Sequence, residues 1–177
     1  APATANGAFL QVSGLKFTYD STKPVGEKVQ SVLVKGLDGN YSNLDLTTIY
    51  PVATNIFTAK GGDGYTMFAK AYNEGRVSEP GFVDWEMFRD FIAAQPNKTI
   101  APQVEGRIVN VAPQVVAAAS FSGTVDSPKV YNNSVIVDVT GVSKLENAVV
   151  KGNLILKGGT DVELVNIEVE GETIFED

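Results

Sequence analysis

The 177-residue chain contains no cysteine and no histidine. Without cysteine it can form no disulfide, and it offers no thiolate for catalysis or for zinc binding. Without histidine it lacks the side chain that most often serves as a general base or as a transition-metal ligand. These absences exclude most familiar hydrolytic and zinc-dependent sites, although the absence of cysteine does not fix the compartment.

The sequence also lacks basic runs and long apolar runs. Its formal net charge is −7, from 14 Lys and Arg against 21 Asp and Glu. We therefore expect no nucleic-acid polymer as a partner, because binding a phosphate backbone needs clustered cations. No apolar stretch approaches the length that a helix needs to cross a bilayer, so the sequence predicts no membrane span.

Carboxylates and serines offer little for catalysis here. The acidic residues do not follow the spacing of a calcium loop, and Glu168–Glu172 alternate as on a solvated strand face. Serines such as Ser120 have no histidine to activate them. We predict no catalytic residue, no metal site and no cofactor in this chain, and therefore no catalytic activity of the chain alone.

The first part of the chain mixes strand and helix patterns. Residues 9–19 alternate as a strand whose phase changes at Gly14, which suggests a bulge. We predict further strands at 31–34 and 50–54 and a closing strand at 104–108.

Two helices are expected between these strands. One follows the glycine-rich segment, from about Tyr65 to Tyr72. The other is indicated by Phe82, Trp85 and Phe88 at three-residue spacing. We expect Trp85 to anchor that helix in the core.

From about residue 109 the sequence repeats with a period of 19. Residues 130–138, 149–157 and 168–176 align, and Asn147 aligns with Asn166. Short strands that recur with asparagine and glycine at such a period favour a β-solenoid, in which stacked asparagines form an amide ladder. The alternative is a small antiparallel meander whose repeat is accidental.

The sequence thus predicts an α+β fold. Residues 1–108 would form a mixed sheet with two main helices, and residues 109–177 a β-rich extension that is a short β-solenoid. The small apolar segment 112–120 would either cap the first rung or link the two regions.

The most informative motif lies in residues 55–65. Phe57 precedes Asp63 by six residues, so a flat ring and a hydrogen-bond-accepting carboxylate share one segment. The surrounding glycines allow positive φ and close approach of a ligand; they are Gly61, Gly62 and Gly64. This chemistry suits a nucleoside. Alternatively, Phe57 packs in the core and Asp63 caps the next helix. The neighbouring Lys60 would either be solvated or meet a phosphate.

Four segments together resemble a known family. Taken in order, residues 7–14, 50–57, 61–65 and 104–108 are similar to the second half of the C-terminal domain of the 5′-nucleotidase family. This family includes UDP-sugar hydrolases and 2′,3′-cyclic-nucleotide phosphodiesterases. The resemblance covers residues 7–108 and does not extend beyond them.

The resemblance implies a division of labour between domains. A separate N-terminal metallophosphoesterase domain with a pair of divalent metal ions would hydrolyse the phosphate ester. The C-terminal domain would bind the nucleoside or nucleotide. The family's base-stacking phenylalanine falls on Phe57, and its ribose-binding aspartate falls on Asp63. A secreted, periplasmic or cell-wall-associated protein is implied.

The family's second stacking ring and its arginines precede the segment that begins at Gly7. We therefore expect this chain to be a fragment with half of the nucleoside clamp, weak nucleotide binding and a tendency to self-associate. The alternative is a non-catalytic cell-surface structural or interaction module built on a nucleotidase-like scaffold.

Overall fold

A computed structural model describes residues 7–159 and 161–176. The chain forms two compact units that are discontinuous in sequence. One unit comprises Val12–Leu44 together with the chain from Gly106 onward. The other contains Asp45–Glu105 and the segment that ends at Gln11.

A four-stranded mixed sheet belongs to the first unit. Its spatial order is β3-β2-β1-β4. The pairs β1–β2 and β2–β3 are antiparallel, and β1–β4 is parallel. The four strands are β1 Leu15–Tyr19, β2 Val29–Lys35, β3 Tyr41–Asn43 and β4 Ile108–Asn110. The predicted mixed sheet is therefore confirmed.

Several strand bounds differ from the prediction. Residues 9–12 are not strand, and Gly14, at φ 74°, marks the entry into β1 while the register shifts at Thr18/Tyr19. Residues 50–54 are not strand either, because Pro51 has no amide to donate to a ladder. The closing strand starts only at Ile108, beyond Gly106 at φ 62°.

The second unit carries the helices, which are α1 Ile56–Ala59, α2 Thr66–Asn73 and α3 Asp84–Ala94. The two predicted helices are confirmed as α2 and α3. The expected burial of Trp85 is wrong, because its side chain is 59% exposed. The Arg89 guanidinium lies 5.2 Å from the centroid of its ring. Helical spacing predicts a shared face, but it does not supply a partner for that face.

The strands from residue 114 onward form the predicted solenoid. Two all-parallel sheets stack in the orders β11-β9-β7-β5 and β10-β8-β6. Within them Val135 pairs with Leu154, and Val130 pairs with Val149, so each residue meets its counterpart in the next repeat. Parallel pairing contradicts the alternative of an antiparallel meander. The strands are β5 Gln114–Ala117, β6 Lys129–Tyr131, β7 Val135–Asp138, β8 Lys144–Val150, β9 Leu154–Lys157, β10 Glu163–Val169 and β11 Thr173–Glu176.

We call β6–β7 the first rung, β8–β9 the second rung and β10–β11 the third rung. Strand β5 of segment 112–120 pairs with β7 on the side of the first rung that faces away from the second rung, which agrees with the expectation that this segment caps the first rung. The buried side chains of the solenoid include Val135, Leu145 and Leu156, each at most 1% exposed.

The predicted amide ladder is present. Asn166 Nδ2 donates to Asn147 Oδ1 at 2.9 Å. Both residues adopt left-handed backbone, with φ 54° at Asn147 and φ 51° at Asn166. Asparagine tolerates this conformation better than most residues, so it fits the bend that recurs in successive rungs.

Candidate functional site

The glycine-rich loop begins at the short helix α1. Asn55 precedes the helix, and its Oδ1 accepts a hydrogen bond from the Thr58 amide at 2.8 Å. Thr58 is only 3% exposed, so this turn is anchored at its buried side. The cap satisfies one amide at the start of α1, the helix that carries Phe57.

Left-handed backbone follows at three of the next positions. Gly61 has φ 92°, Asp63 has φ 55° and Gly64 has φ 84°. Glycine adopts this region without strain, and aspartate is among the residues that tolerate it. At Gly61 an added Cβ would also lie 2.8 Å from the Ala69 Cβ. The loop therefore requires small residues for its turn and for its packing on α2.

Phe57 lies against the backbone of this loop. A Cβ placed on Gly62 would fall 2.5 Å from ring carbons of Phe57, so any larger residue would displace the ring. The Phe57 side chain nevertheless remains 59% exposed. Gly62 supports one part of the ring while the rest of its surface is open to solvent, contrary to the alternative of a buried core residue.

Asp63 is exposed at the tip of the same turn. Its carboxylate makes no hydrogen bond or ion pair with any residue in the described ranges. It does not cap α2, because the N-cap position is Tyr65 and has no side-chain cap. Both alternatives that assign these two residues a purely structural role are therefore unsupported by the geometry.

Lys60 is exposed beside the loop, and its Nζ lies 5.2 Å from the centroid of the Tyr72 ring. This agrees with the expectation of a solvated lysine. The contact belongs to the weak, exposed class of cation–π interactions.

Two supporting residues escaped the motif analysis. Asn55 caps α1, and the Tyr65 hydroxyl donates to the Ala8 carbonyl at 2.7 Å. The asparagine was detectable, since Asn just before a helix is a standard start signal. The Tyr65 contact joins residues 57 positions apart and has no local signature.

The loop can stack a flat ring on Phe57 and accept hydrogen bonds at Asp63. It presents no general base other than this carboxylate. Within residues 7–159 and 161–176, no group of three or more acidic residues could hold a metal ion. The loop therefore presents a stacking surface at Phe57 and a hydrogen-bond acceptor at Asp63.

The comparisons with known proteins confirm the resemblance of the first part of the chain. Residues 1–70 match the family model described as 5′-nucleotidase, C-terminal domain. The chain is 36% identical over 105 residues to the trifunctional nucleotide phosphoesterase protein YfkN of Bacillus subtilis (strain 168). It is 35% identical over 108 residues to a 5′-nucleotidase of Diplobatis ommata. It is 37% identical over 103 residues to the cell wall protein Lmo0130 of Listeria monocytogenes.

These matches cover 59%, 59% and 57% of the chain, but only 7%, 18% and 12% of the three relatives. The chain therefore spans a small part of the curated proteins that it matches. No solved structure matches it.

Proposed function

We propose that the chain is the substrate-recognition portion of a 5′-nucleotidase-type phosphoesterase, because residues 1–70 match the family model of the 5′-nucleotidase C-terminal domain. Residues 1–108 form the recognition portion, and residues 109–177 form the repeat extension. A separate N-terminal domain holds the divalent metal pair and hydrolyses the phosphate ester. The observation that carries this proposal is the placement of exposed Phe57 and exposed Asp63 on one glycine-shaped loop.

In this proposal each loop residue has one task. Phe57 stacks on the nucleobase, and Asp63 accepts hydrogen bonds from the ribose hydroxyls. The loop is shaped for that approach by Gly61, Gly62 and Gly64. An exposed aromatic ring, and a carboxylate that bonds to no other residue in the described part of the chain, are the groups that such a ligand would need.

Affinity should be low for the isolated chain. One stacking ring contributes about 1–3 kcal/mol, and binding must also offset the ordering of the ligand. A millimolar dissociation constant corresponds to about 4 kcal/mol. We therefore expect dissociation constants for adenosine and AMP in the millimolar range or weaker.

An NMR titration with adenosine tests the proposal. Amide shifts should move in residues 55–65, and Phe57→Ala should reduce the affinity roughly tenfold or abolish detectable binding. Asp63→Asn should weaken the binding of adenosine more than that of 2′,3′-dideoxyadenosine, because only adenosine carries the 2′ and 3′ hydroxyls. Phe82→Ala, at another exposed ring of the same unit, serves as the matched control and should change nothing.

Shifts confined to other residues would contradict the assigned site. A micromolar dissociation constant would contradict the single-ring account, because that account leaves too few contacts for such affinity.

The proposed location is outside the cytoplasm, as a secreted, periplasmic or cell-wall-associated protein. One relative is described as a cell wall protein, which supports this. No helix in the described part of the chain is long and apolar enough to cross a bilayer.

Self-association is also proposed for the isolated chain. On α3 and just before it, Phe82, Trp85 and Phe88 are 74%, 59% and 57% exposed. Apolar surface of this kind favours association. Light scattering should show species larger than a monomer, and a strictly monomeric protein at high concentration would contradict this expectation.

A second candidate function is a non-catalytic surface module in which the solenoid is the working part. The stacked parallel strands of the solenoid favour it, since stacked repeats present extended surfaces that bind other proteins. Metal-binding histidine motifs before this region in the full protein would support the enzyme proposal. Further repeats of the same period without such motifs would support the surface-module proposal.

A further inference from the structure

A polar groove lies beside the first rung of the solenoid, within the unit that also contains the mixed sheet. Its volume is about 560 Å³, and small-molecule sites usually have about 300–1,000 Å³. The hydrogen-bonding side chains that line it are Ser21, Thr22, Asn110, Gln114, Asn132 and Asn133. Strand β6 ends its sheet on the side opposite to β10, so a repeat stacked on the third rung would leave this groove open.

The lining of the groove is polar but uncharged. No Asp, Glu, Lys or Arg of the described ranges is among the lining residues. An ionic ligand would find no counter-charge there, and the net charge of −7 would repel an anion. Hydroxyl and amide side chains, in contrast, both donate and accept hydrogen bonds. The groove therefore favours a neutral ligand with many such groups, and the hydroxyls of a sugar have this property.

Asn110 holds the two sides of the groove together. Its Oδ1 accepts from the Ser21 amide at 3.3 Å and from the Ala112 amide at 3.0 Å, while its Nδ2 donates to Ser21 Oγ at 3.0 Å. Asn133 Nδ2 donates to the Asn110 carbonyl at 3.0 Å. These bonds join the loop after β1 to the first rung, so the groove is formed before any ligand binds.

Other polar groups of the groove remain available to a ligand. The side-chain amides of Gln114 and Asn132 are exposed and make no hydrogen bond with another residue of the described ranges. The Tyr131 carbonyl accepts a bond from the Lys151 amide of the second rung at 2.9 Å. Since alternate residues of a strand direct their backbone groups to opposite sides, the Val130 N–H and C=O point to the outer edge of β6, where no described strand pairs with them.

Apolar atoms lie among these polar groups. Val130 is 52% exposed, and Ala112 and Pro113 are half-buried in the same lining. An acetamido substituent on a sugar combines one hydrogen-bond donor, one acceptor and a methyl group. The amides of the groove suit the polar atoms of this substituent, and the three apolar residues suit its methyl group.

We propose that this groove binds a neutral oligosaccharide that carries acetamido groups. Gln114 and Asn132 bond to the sugar hydroxyls, and the Val130 backbone bonds to an acetamido group. The proposal does not rest on the nucleoside role of Phe57 and Asp63, which lie in the other unit.

An NMR titration of the full chain with N,N′,N″-triacetylchitotriose tests the proposal. The side-chain amide resonances of Gln114 and Asn132 and the backbone amide resonance of Val130 should shift. Maltotriose, which has hydroxyls without acetamido groups, should bind at least fivefold more weakly. Acetyl-trialanine amide, which has amides and methyl groups without hydroxyls, should leave these resonances unchanged.

Three results of this titration would contradict the proposal. The first is the absence of shifts at these three groups with triacetylchitotriose. The second is equal binding of maltotriose, because the acetamido groups would then contribute nothing. The third is a shift of the same resonances by acetyl-trialanine amide, which would identify a peptide at the edge of β6 as the occupant.

A double variant adds a test in the protein. Gln114→Ala combined with Asn132→Ala should reduce the affinity for triacetylchitotriose at least tenfold. Both side chains are exposed, so the variant should unfold at the parent's temperature. Gln103→Ala, at an exposed glutamine outside the groove, is the matched control and should bind as the parent does.

Unchanged affinity in the double variant would overturn the proposal. If the double variant fails to fold, the resonance shifts of the unmodified protein decide the question. Adenosine should shift residues 55–65 equally in the parent and in the double variant, so failure of the saccharide site can be told apart from failure of the nucleoside site.

Discussion

The solenoid and the helix-bearing unit differ most in what they bury. All ten buried hydrophobic side chains of the described residues lie between Phe121 and Leu156, in the solenoid. In the unit around Asp45–Glu105, the aromatic side chains of α3 are more than half exposed. Apolar composition and helical spacing therefore do not by themselves make a core.

The physical reason lies in the repeats. Each internal rung has a neighbour on both sides, so one side-chain pattern buries itself repeatedly. The apolar face of α3 has no comparable partner among the described residues. Binding loops are often found in such weakly packed regions, where motion costs little. The glycine-rich loop with Phe57 and Asp63 lies in this unit.

Truncating one side chain in each region should give the largest difference. Leu156 is 1% exposed, and Leu156→Ala should cost about 2–5 kcal/mol of unfolding free energy through lost burial and a cavity. Phe88 is 57% exposed, and Phe88→Ala should cost less than about 1 kcal/mol. Urea unfolding followed by circular dichroism measures both. A larger loss for Phe88→Ala would show that α3, rather than the solenoid, carries the stability.

The asparagine ladder should matter next. Asn147→Ala loses the bond from Asn166 Nδ2 and places alanine at φ 54°, so about 2 kcal/mol of unfolding free energy should be lost. Asn147→Gly relieves the backbone strain but not the lost bond, so it should recover part of the loss. The unfolding temperatures of Asn147→Ala and Asn147→Gly measure this difference. If glycine is no better than alanine, the left-handed backbone is not what selects asparagine.

The ion pair between Lys157 and Glu176 should contribute less. Both side chains are about half exposed, at 50% and 45%, so a double-mutant cycle should give no more than about 1 kcal/mol, reduced by salt. Lys157→Met and Glu176→Gln are suitable partners for the cycle. A coupling energy several times larger would mean that charge, rather than apolar burial, holds the rungs together.

The smallest effect concerns acid stability at Asp138. Hydrogen bonds from the Thr140 amide and hydroxyl hold the pKa of Asp138 below its usual value. The stabilisation is therefore fully present above the unfolded-state value of about 4 and is lost as pH falls through the lower folded value. When the unfolding temperature is measured from pH 6 to pH 2, Asp138→Asn should make its decrease at acidic pH shallower. If this decrease is the same in Asp138→Asn, the stability lost at low pH comes from other carboxylates.

How far the sequence predicts this fold depends on how local the signal is. The repeat spacing of Asn147 and Asn166 predicts stacking because the same geometry recurs at every rung. The strand expected at 50–54 is absent, since Pro51 breaks the ladder that its apolar neighbours suggest. The pairing of β5 with β7 agrees with the cap expected for segment 112–120, but its register, which sets Gln114 against Val135, does not follow the repeat period and could not be predicted from it.

The candidate site shows the same limit. The motif predicts that Phe57, Asp63 and the glycines share one loop, because sequence proximity alone brings them together. The motif does not predict that the Phe57 ring rests on Gly62 and remains largely exposed. Nor does it predict that Asp63 does not cap α2, because the backbone conformation of residues 61–65 determines where the Asp63 side chain lies.

Amide hydrogen exchange over the whole chain decides whether the solenoid is the stable region and the helix-bearing unit the labile one. We expect the slowest amides in Val135–Asp138, Lys144–Val150 and Leu154–Lys157. Amides of Thr66–Asn73 and Asp84–Ala94 should exchange several orders of magnitude faster. Equal protection of the helices and the solenoid strands would contradict this difference.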